Sequence, residues 1–177
     1  DIMLGTFITV GLLPLGVVSA PLAWWYSNPK HADYTTQEII LSTGAQYIHE
    51  DELGEGKILN SWKAMGSNHY HIKFPRYKPF TKQMVELSKK AGLVIYEIGG
   101  NKKIQVKVSF DGETTKEQAY FILQRANANV GNITSVYRMT KYDRTMVILD
   151  VKVSDLLELI RFIDSTDNVN LEHVFDP

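Results

Sequence analysis

The chain has 177 residues, of which 44% are hydrophobic and 22% charged, with a net charge of −1 and no cysteine. The length suits one compact domain or a small domain with an appendage, and the composition is too apolar for a disordered chain. The absence of cysteine excludes a disulfide scaffold, an iron–sulfur cluster and a thiol nucleophile. The near-neutral charge argues against a generally basic nucleic-acid-binding protein, so we expect no nucleic-acid partner.

The N-terminal segment is long, apolar and uncharged. Its 24 residues from Ile2 to Trp25 contain no Asp, Glu, Lys or Arg, and about 20 apolar residues span a bilayer core. We predict a single-pass transmembrane helix over residues 1–26, which places the protein in a membrane. A cleavable signal peptide and a buried core helix are less favoured alternatives, because a basic start and a polar face are missing. The predicted interface anchors are the aromatic residues Trp24, Trp25 and Tyr26.

Small residues on one face of this segment predict that the helix packs against another. They allow close approach, so we expect other transmembrane subunits as partners, in a homo- or hetero-oligomer. Lys30 is the only basic residue before residue 57. This shortage of positive charge favours, weakly, a non-cytoplasmic location for the rest of the chain. The predicted packing face consists of Gly5, Thr9, Gly16, Ser19, Ala20 and Ala23.

Residues 27–67 are predicted to form a connector between this helix and a folded domain. The sequence Thr35-Thr36-Gln37-Glu38 matches a capping box, in which Thr35 and Glu38 would each bind the other's backbone N–H. The apolar run Ile39–Leu41 follows, so we predict a short helix that ends near Gly44.

Residues 68–177 are predicted to form an α+β domain. Apolar and polar residues alternate over Tyr70–Phe74, which is typical of a strand with one buried face. An amphipathic helix over Phe80–Ala91 and a strand over Leu93–Ile98 follow. We interpret these elements as an extra N-terminal β-α-β segment of the domain.

The remaining elements occur in the order β-α-β-β-α-β, which is that of the ferredoxin-like fold. Capping residues before Lys116 begin a helix with an apolar stripe from Ala119 to Val130, and a second stripe lies within Leu156–Ile163. Two such helices would cover one face of an antiparallel sheet. The predicted strands are Ile104–Phe110, Ile133–Met139, Val147–Val153 and Val169–Phe175.

The order and spacing of these elements resemble two families. The runs Ala91-Gly92-Leu93-x-Ile95-x-x-Ile98 and Val106-x-Val108-x-Phe110-x-Gly112, behind a membrane helix, resemble bitopic assembly proteins of type IV pilus and type II secretion systems. That resemblance implies a periplasmic ferredoxin-like domain that acts as a scaffold without catalysis. The β-α-β-β-α-β block also resembles ACT domains, which implies binding of a small molecule.

Charge is segregated along the chain. Residues 1–56 carry −6, residues 57–107 carry +9 and residues 108–177 carry −4. The basic block is compatible with a solvated face, with anionic lipid or with an acidic protein surface, and the predicted membrane anchor favours the last two over nucleic acid. The predicted patch consists of Lys63, Lys73, Arg76, Lys78, Lys82, Lys89, Lys90, Lys102, Lys103 and Lys107.

No pattern of residues indicates catalysis or a cofactor. His69 and His71 share one face of a predicted strand, but a metal site needs a third ligand that the sequence does not identify. We therefore expect no enzyme activity, no cofactor and no metal. The sequence favours a single-pass scaffold subunit of a larger membrane assembly, such as a secretion or pilus machine, with an ACT-like sensor tethered to a membrane as the alternative.

Overall fold

The computed structural model describes residues 36–44, 47–126 and 130–175. Within these ranges the protein is α+β, with two antiparallel four-stranded sheets and three α-helices. No helix of the described ranges is long and apolar enough to cross a membrane. The predicted transmembrane helix over 1–26, with its packing face and its aromatic anchors, lies outside these residues and stays a prediction.

The first sheet is formed by the N-terminal half of the described chain. Its strands are hydrogen-bonded in the order β2-β3-β1-β4, and α1 connects β3 to β4. Of the described residues between β1 and β2, Glu50–Leu53 form a 3-10 turn and none forms an α-helix. The elements are β1 Thr36–Thr43, β2 Lys57–Ala64, β3 Ser67–Pro75, α1 Lys78–Ser88 and β4 Leu93–Ile98.

The second sheet repeats this arrangement with its own strands. They are hydrogen-bonded in the order β6-β7-β5-β8, so each strand has a counterpart at the same place in the first sheet. Both halves thus have the ferredoxin-like strand order, and the first has only a 3-10 turn where the second has α2. The elements are β5 Lys103–Asp111, α2 Lys116–Leu123, β6 Val130–Met139, β7 Arg144–Lys152, α3 Leu156–Asp164 and β8 Val169–Val174.

Most predicted strands are confirmed, because alternation of apolar residues matches burial on one face. Along β3 every second residue is buried, including Tyr70, Ile72 and Phe74. In the second sheet β5 and β7 pair along their whole length, from Lys103 opposite Lys152 to Asp111 opposite Arg144. The ferredoxin-like order predicted for the second half is therefore observed.

The predicted helix over Ile39–Leu41 is wrong. These residues lie in β1, which pairs with β3 on one side and with β4 on the other. Gln37, Ile39 and Leu41 point into the core. A short apolar run does not distinguish a strand from a buried helix, and here pairing on both sides determines the outcome. Residues 36–43 and 57–64, which the sequence analysis assigned to the connector, are thus strands of the first sheet.

The helix predicted to reach Val130 is shorter than expected. It ends at Leu123, a 3-10 turn continues to Ala126, and Val130 begins β6 opposite Val151. The capping box at its start is formed by Thr115 and Gln118. A buried position in the sheet outweighs the helical stripe at Val130.

Helices α1 and α3 connect the two halves. Helix α1 contacts β3 and β8, α3 contacts β4 and β8, and the two helices contact each other. The buried side chains of both halves form a continuous hydrophobic cluster. Its residues on α3 are Leu156, Leu157, Leu159, Ile160 and Ile163.

Hydrogen bonds also join the two halves. Val174 N–H donates to the buried Thr81 hydroxyl oxygen over 3.0 Å, and 3.2 Å separates that oxygen from Nδ1 of His173. The Arg161 guanidinium donates to the carbonyl oxygens of Ser88 and Lys90. Residues 36–175 therefore form one packed body rather than two separate domains.

Gly56 is needed where the chain approaches the ring of Phe74. A Cβ atom at this position would lie 2.2 Å from Cε1 of Phe74, which is fully buried. Replacing Gly56→Ala should lower the free energy of unfolding by about 2 kcal/mol, because the core ring must move. Denaturant unfolding of the full chain in mild detergent measures this change. Gly44→Ala is the matched control, since no atom lies within 4 Å of its added Cβ. Equal losses of stability in both variants would contradict the prediction.

Candidate interaction surface

Three aromatic rings stack across the outer face of the first sheet, on the side away from the helices. We call Trp62, His69 and Tyr96 the aromatic cluster. The ring centroids of Trp62 and His69 are 5.4 Å apart and those of His69 and Tyr96 are 5.9 Å apart, with interplanar angles of 11° and 25°. The Ser42 hydroxyl donates to the Tyr96 hydroxyl over 3.3 Å. Strands β2, β3, β1 and β4 thus all contribute to this face.

Two β-bulges shape the edges of the same sheet. Leu59 is the extra residue where β2 shifts register against β3, and Tyr96 is the extra residue where β4 shifts against β1. Bulges and lysines on an edge strand disfavour pairing with a further strand, and β2 carries Lys57 and Lys63. The strand edges are therefore protected against pairing, whereas the rings of the face are exposed.

The two candidate metal-binding histidines lie on this face but have other contacts. His69 is stacked between two rings, and Nε2 of His71 lies 2.9 Å from Oε2 of Glu38. Among the described residues no group of three or more His, Asp or Glu side chains could hold a metal ion. The part of the chain that the structure describes thus brings no third ligand to this pair.

The outer face of the second sheet carries ion pairs instead of stacked rings. Arg144 lies 3.2 Å from an oxygen of Asp111 and 3.4 Å from one of Glu172. The buried Ser109 hydroxyl donates to Glu172 over 2.6 Å. Lys107 lies over the ring of Tyr137 at 5.6 Å. Charges on this face are engaged with each other, which makes it unlike the aromatic face of the first sheet.

The predicted basic patch is distributed over several elements of both halves. Lys63 and Lys73 lie on β2 and β3, and Lys78 and Lys82 on α1. The others follow β3, α1 or β4, or lie on β5, and they are Arg76, Lys89, Lys90, Lys102, Lys103 and Lys107. The strand register shows which of these residues lie at each end of the first sheet. Lys73, which faces Glu38 near the start of β1, and Arg76 lie at the end where Thr36 pairs with Pro75. Lys63 and Lys90 lie at the opposite end.

Ion pairs at that opposite end shift the pKa values of Glu52 and Lys89. The Lys90 ammonium, bonded to Glu52, and the backbone N–H of His49 hold the pKa of the Glu52 carboxyl below its ordinary value of 4.5. The Glu86 carboxylate, 2.9 Å from Lys89, raises the pKa of that ammonium above 10.5. All four side chains are near the surface, so these pairs contribute little to stability.

Several clefts open on the described surface. One of about 560 Å³ lies between the 3-10 turn and α1, with Asp51 and Glu55 on one wall and Lys82 on the other. A groove of about 400 Å³ runs beside β2. A third cleft, of about 400 Å³, lies where the halves meet and includes Val85, Ile160 and Leu171, with a polar rim around Asn168.

The sequence alone predicts only part of the aromatic cluster. His69 was a candidate residue, whereas Trp62 and Tyr96 were not, because they come from different strands that are far apart along the chain. Trp62 lies on β2, whose residues are almost all exposed, so this strand lacks the alternation that would have revealed it.

Comparison with known proteins identifies no family for this chain. No protein-family model and no curated protein matches the chain. Among solved structures, the chain is similar to the aspartate kinase of Clostridium acetobutylicum, an allosteric enzyme, with 16% identity and a TM-score of 0.23. The match covers 73% of this chain and 32% of the kinase. A TM-score of this size does not establish a shared fold.

Proposed function

We propose that the protein is a non-catalytic scaffold subunit of a larger membrane assembly. In this proposal a single N-terminal helix anchors the chain, and residues 36–175 form a packed body that binds another subunit. The proposal rests on one observation, which is the aromatic face of the first sheet. The likeness of the sequence to bitopic assembly proteins of secretion and pilus machines motivates the same class of function.

The physical case for this proposal is the exposure of large side chains on a sheet. Tyr96 is 49% exposed, Trp62 41% and Val94 37%, and all three lie on the first sheet. Aromatic residues are enriched at protein interfaces, where they bury a large area at low entropic cost. Because the rings already stack on each other, a partner would meet a preorganised surface.

Removing the Tyr96 ring tests this function. Tyr96→Ala should reduce the amount of partner that co-purifies with the full chain from native membranes at least tenfold, because central aromatic residues dominate interface energy. Quantitative mass spectrometry of material purified in mild detergent measures the recovery. Tyr137→Ala, on the second sheet and 39% exposed, is the matched control and should leave recovery within about twofold. The same partner recovered equally with Tyr96→Ala would refute the proposed face.

Binding of a small molecule is the second candidate function. The cleft where the halves meet has about 400 Å³ of space, an apolar floor from Ile160 and Ile163, and a polar rim that includes Asp164 and Asn170. Ligand sites typically combine these properties within this range of volume. A sensor of this kind would couple ligand binding to the packing of the two halves.

A thermal-shift series separates the two candidates. If the cleft is a ligand site, amino acids or nucleotides should raise the melting temperature of the full chain, and the stabilisation should grow with the logarithm of ligand excess. Asn170→Trp, which adds a bulky ring at the exposed rim of the cleft, should abolish the shift. No shift with any compound of either class would remove this function and would leave the scaffold proposal intact.

A further inference from the structure

A groove opens beside β2, next to the connection of the first half that has no α-helix among its described residues. In the second half α2 contacts β6, which is the counterpart of β2 in the strand order. In the first half the 3-10 turn over Glu50–Leu53 contacts β2 instead. A space of about 400 Å³ remains there. We call it the β2 groove, and its walls include Tyr47, Ile48, Ile58, Trp62, Lys63 and Tyr70.

The β2 groove combines aliphatic side chains with two exposed aromatic rings. Ile48 is 7% exposed, and Ile58 is partly buried against the hydrophobic core. Tyr47 and Trp62, in contrast, are 69% and 41% exposed. Ligand sites are lined mainly by aliphatic and aromatic side chains, on which a flat apolar molecule can pack. The lining therefore suits an aromatic ring.

A buried hydroxyl at the wall of the groove has a hydrogen to donate. Tyr70 is 3% exposed, and its oxygen accepts the backbone N–H of Ile48 over 3.1 Å. Both residues line the groove. The hydroxyl forms no further hydrogen bond with the residues that the structure describes. A phenol donates one hydrogen bond as well as accepting, and a buried donor without an acceptor is unfavourable. An acceptor atom of a ligand would satisfy it.

The Lys63 side chain lies on the same face of the sheet as this hydroxyl. Lys63 faces Asn68 across β2 and β3, and Tyr70 lies two residues further along β3. The two side chains are thus diagonal neighbours, a separation that long side chains bridge. Lys63 is exposed and forms no ion pair with a described residue. One carboxylate can therefore meet both the ammonium and the hydroxyl.

The acidic residues of the neighbouring 3-10 turn have contacts of their own. Glu50 accepts a backbone N–H of β2 over 3.1 Å, and Glu52 is bonded to the Lys90 ammonium. Asp51 lines the cleft along α1. No Asp or Glu of the described chain lines the β2 groove itself. Because these acids remain close to it, an anion would be held by direct contact with the Lys63 ammonium rather than by a positive field.

We propose that the β2 groove binds a small aromatic carboxylate. The ring of the ligand packs against Ile58, Tyr47 and Trp62, and its carboxylate accepts hydrogen bonds from the Tyr70 hydroxyl and the Lys63 ammonium. Charge-assisted hydrogen bonds of this kind are stronger than neutral ones. A volume of about 400 Å³ lies within the range of small-molecule sites. This binding requires neither the membrane anchor nor the partner of the proposed function.

Calorimetric titration of the full chain in mild detergent tests this site with two matched probes. Indole-3-acetate has the required ring and carboxylate, and indole-3-acetamide replaces the carboxylate by a neutral amide of similar shape. The acetate should bind at one site per chain, about tenfold more tightly than the acetamide, because only the acetate forms charge-assisted hydrogen bonds. Titration of each probe into detergent alone gives the background heat.

Four variants locate the binding site. Lys63→Gln should raise the Kd of the acetate about tenfold and change that of the acetamide less than about twofold. Lys57→Gln, on the same strand but outside the groove, is the matched control and should leave both constants unchanged. Ser61→Trp, at an exposed position of the lining, should abolish binding of both probes. Tyr47→Ala should weaken binding but leave recovery of the membrane partner unchanged, which separates this site from the aromatic face.

Three results would overturn the proposal. The first is the absence of saturable binding of indole-3-acetate at millimolar concentration. The second is equal affinity for the two probes, or an equal effect of Lys63→Gln and Lys57→Gln. The third is binding that survives Ser61→Trp and is lost in Asn170→Trp, which would place the ligand in the cleft where the halves meet. Binding that is lost in Ser61→Trp and kept in Asn170→Trp supports the β2 groove.

Discussion

The packing of helices α1 and α3 against each other and against strands of both halves is the constraint on which the rest of the structure depends. Helix α3 buries five of its side chains, and it contacts strands of both halves. Each of these side chains stabilises the fold by roughly 1.5–3 kcal/mol on burial, and removing the helix would uncover the core faces of both sheets. The buried side chains of both halves belong to one hydrophobic cluster. The two ferredoxin-like arrangements therefore behave as one body.

The surfaces that remain for contacts with other molecules are the outer faces of the sheets and their ends. The second sheet fills its outer face with the ion pairs of Arg144, whereas the first presents stacked rings. The first half also has no α-helix among the described residues between β1 and β2, so β2 is exposed on both faces. The two similar halves therefore differ in what their outer faces expose.

The second half could be predicted almost completely from the sequence, because each strand has one buried face and each helix one apolar stripe. The first half could not. Its central strand β1 follows a capping-box pattern, and the run Ile39–Leu41 lacks alternation because Ile40 is half-buried between two buried neighbours. The edge strand β2 has no buried face to reveal it. The repeat of strand order was hidden for the same reasons, since it depends on pairing between distant segments.

The candidate surfaces were predictable only where they depend on composition. The basic block was evident from charge counts, but its division between two ends of one sheet follows from the register of β1, β3 and β4. The strained conformation of Tyr77 and the ring stack around His69 depend on three-dimensional geometry. The flanking residues Pro75 and Pro79 indicate a turn at Tyr77, but they do not indicate its φ of 64°.

Native-state hydrogen exchange measures the central claim, that both halves share one cooperative core. Leu157 lies on α3 in the second half and is 2% exposed. In the full chain, Leu157→Ala should lower the free energy of opening of the slowest amides by about 2–5 kcal/mol, and by equal amounts in β1 and β5. Faster exchange confined to the second half, with β1 unchanged, would show two independent cores and would contradict this account.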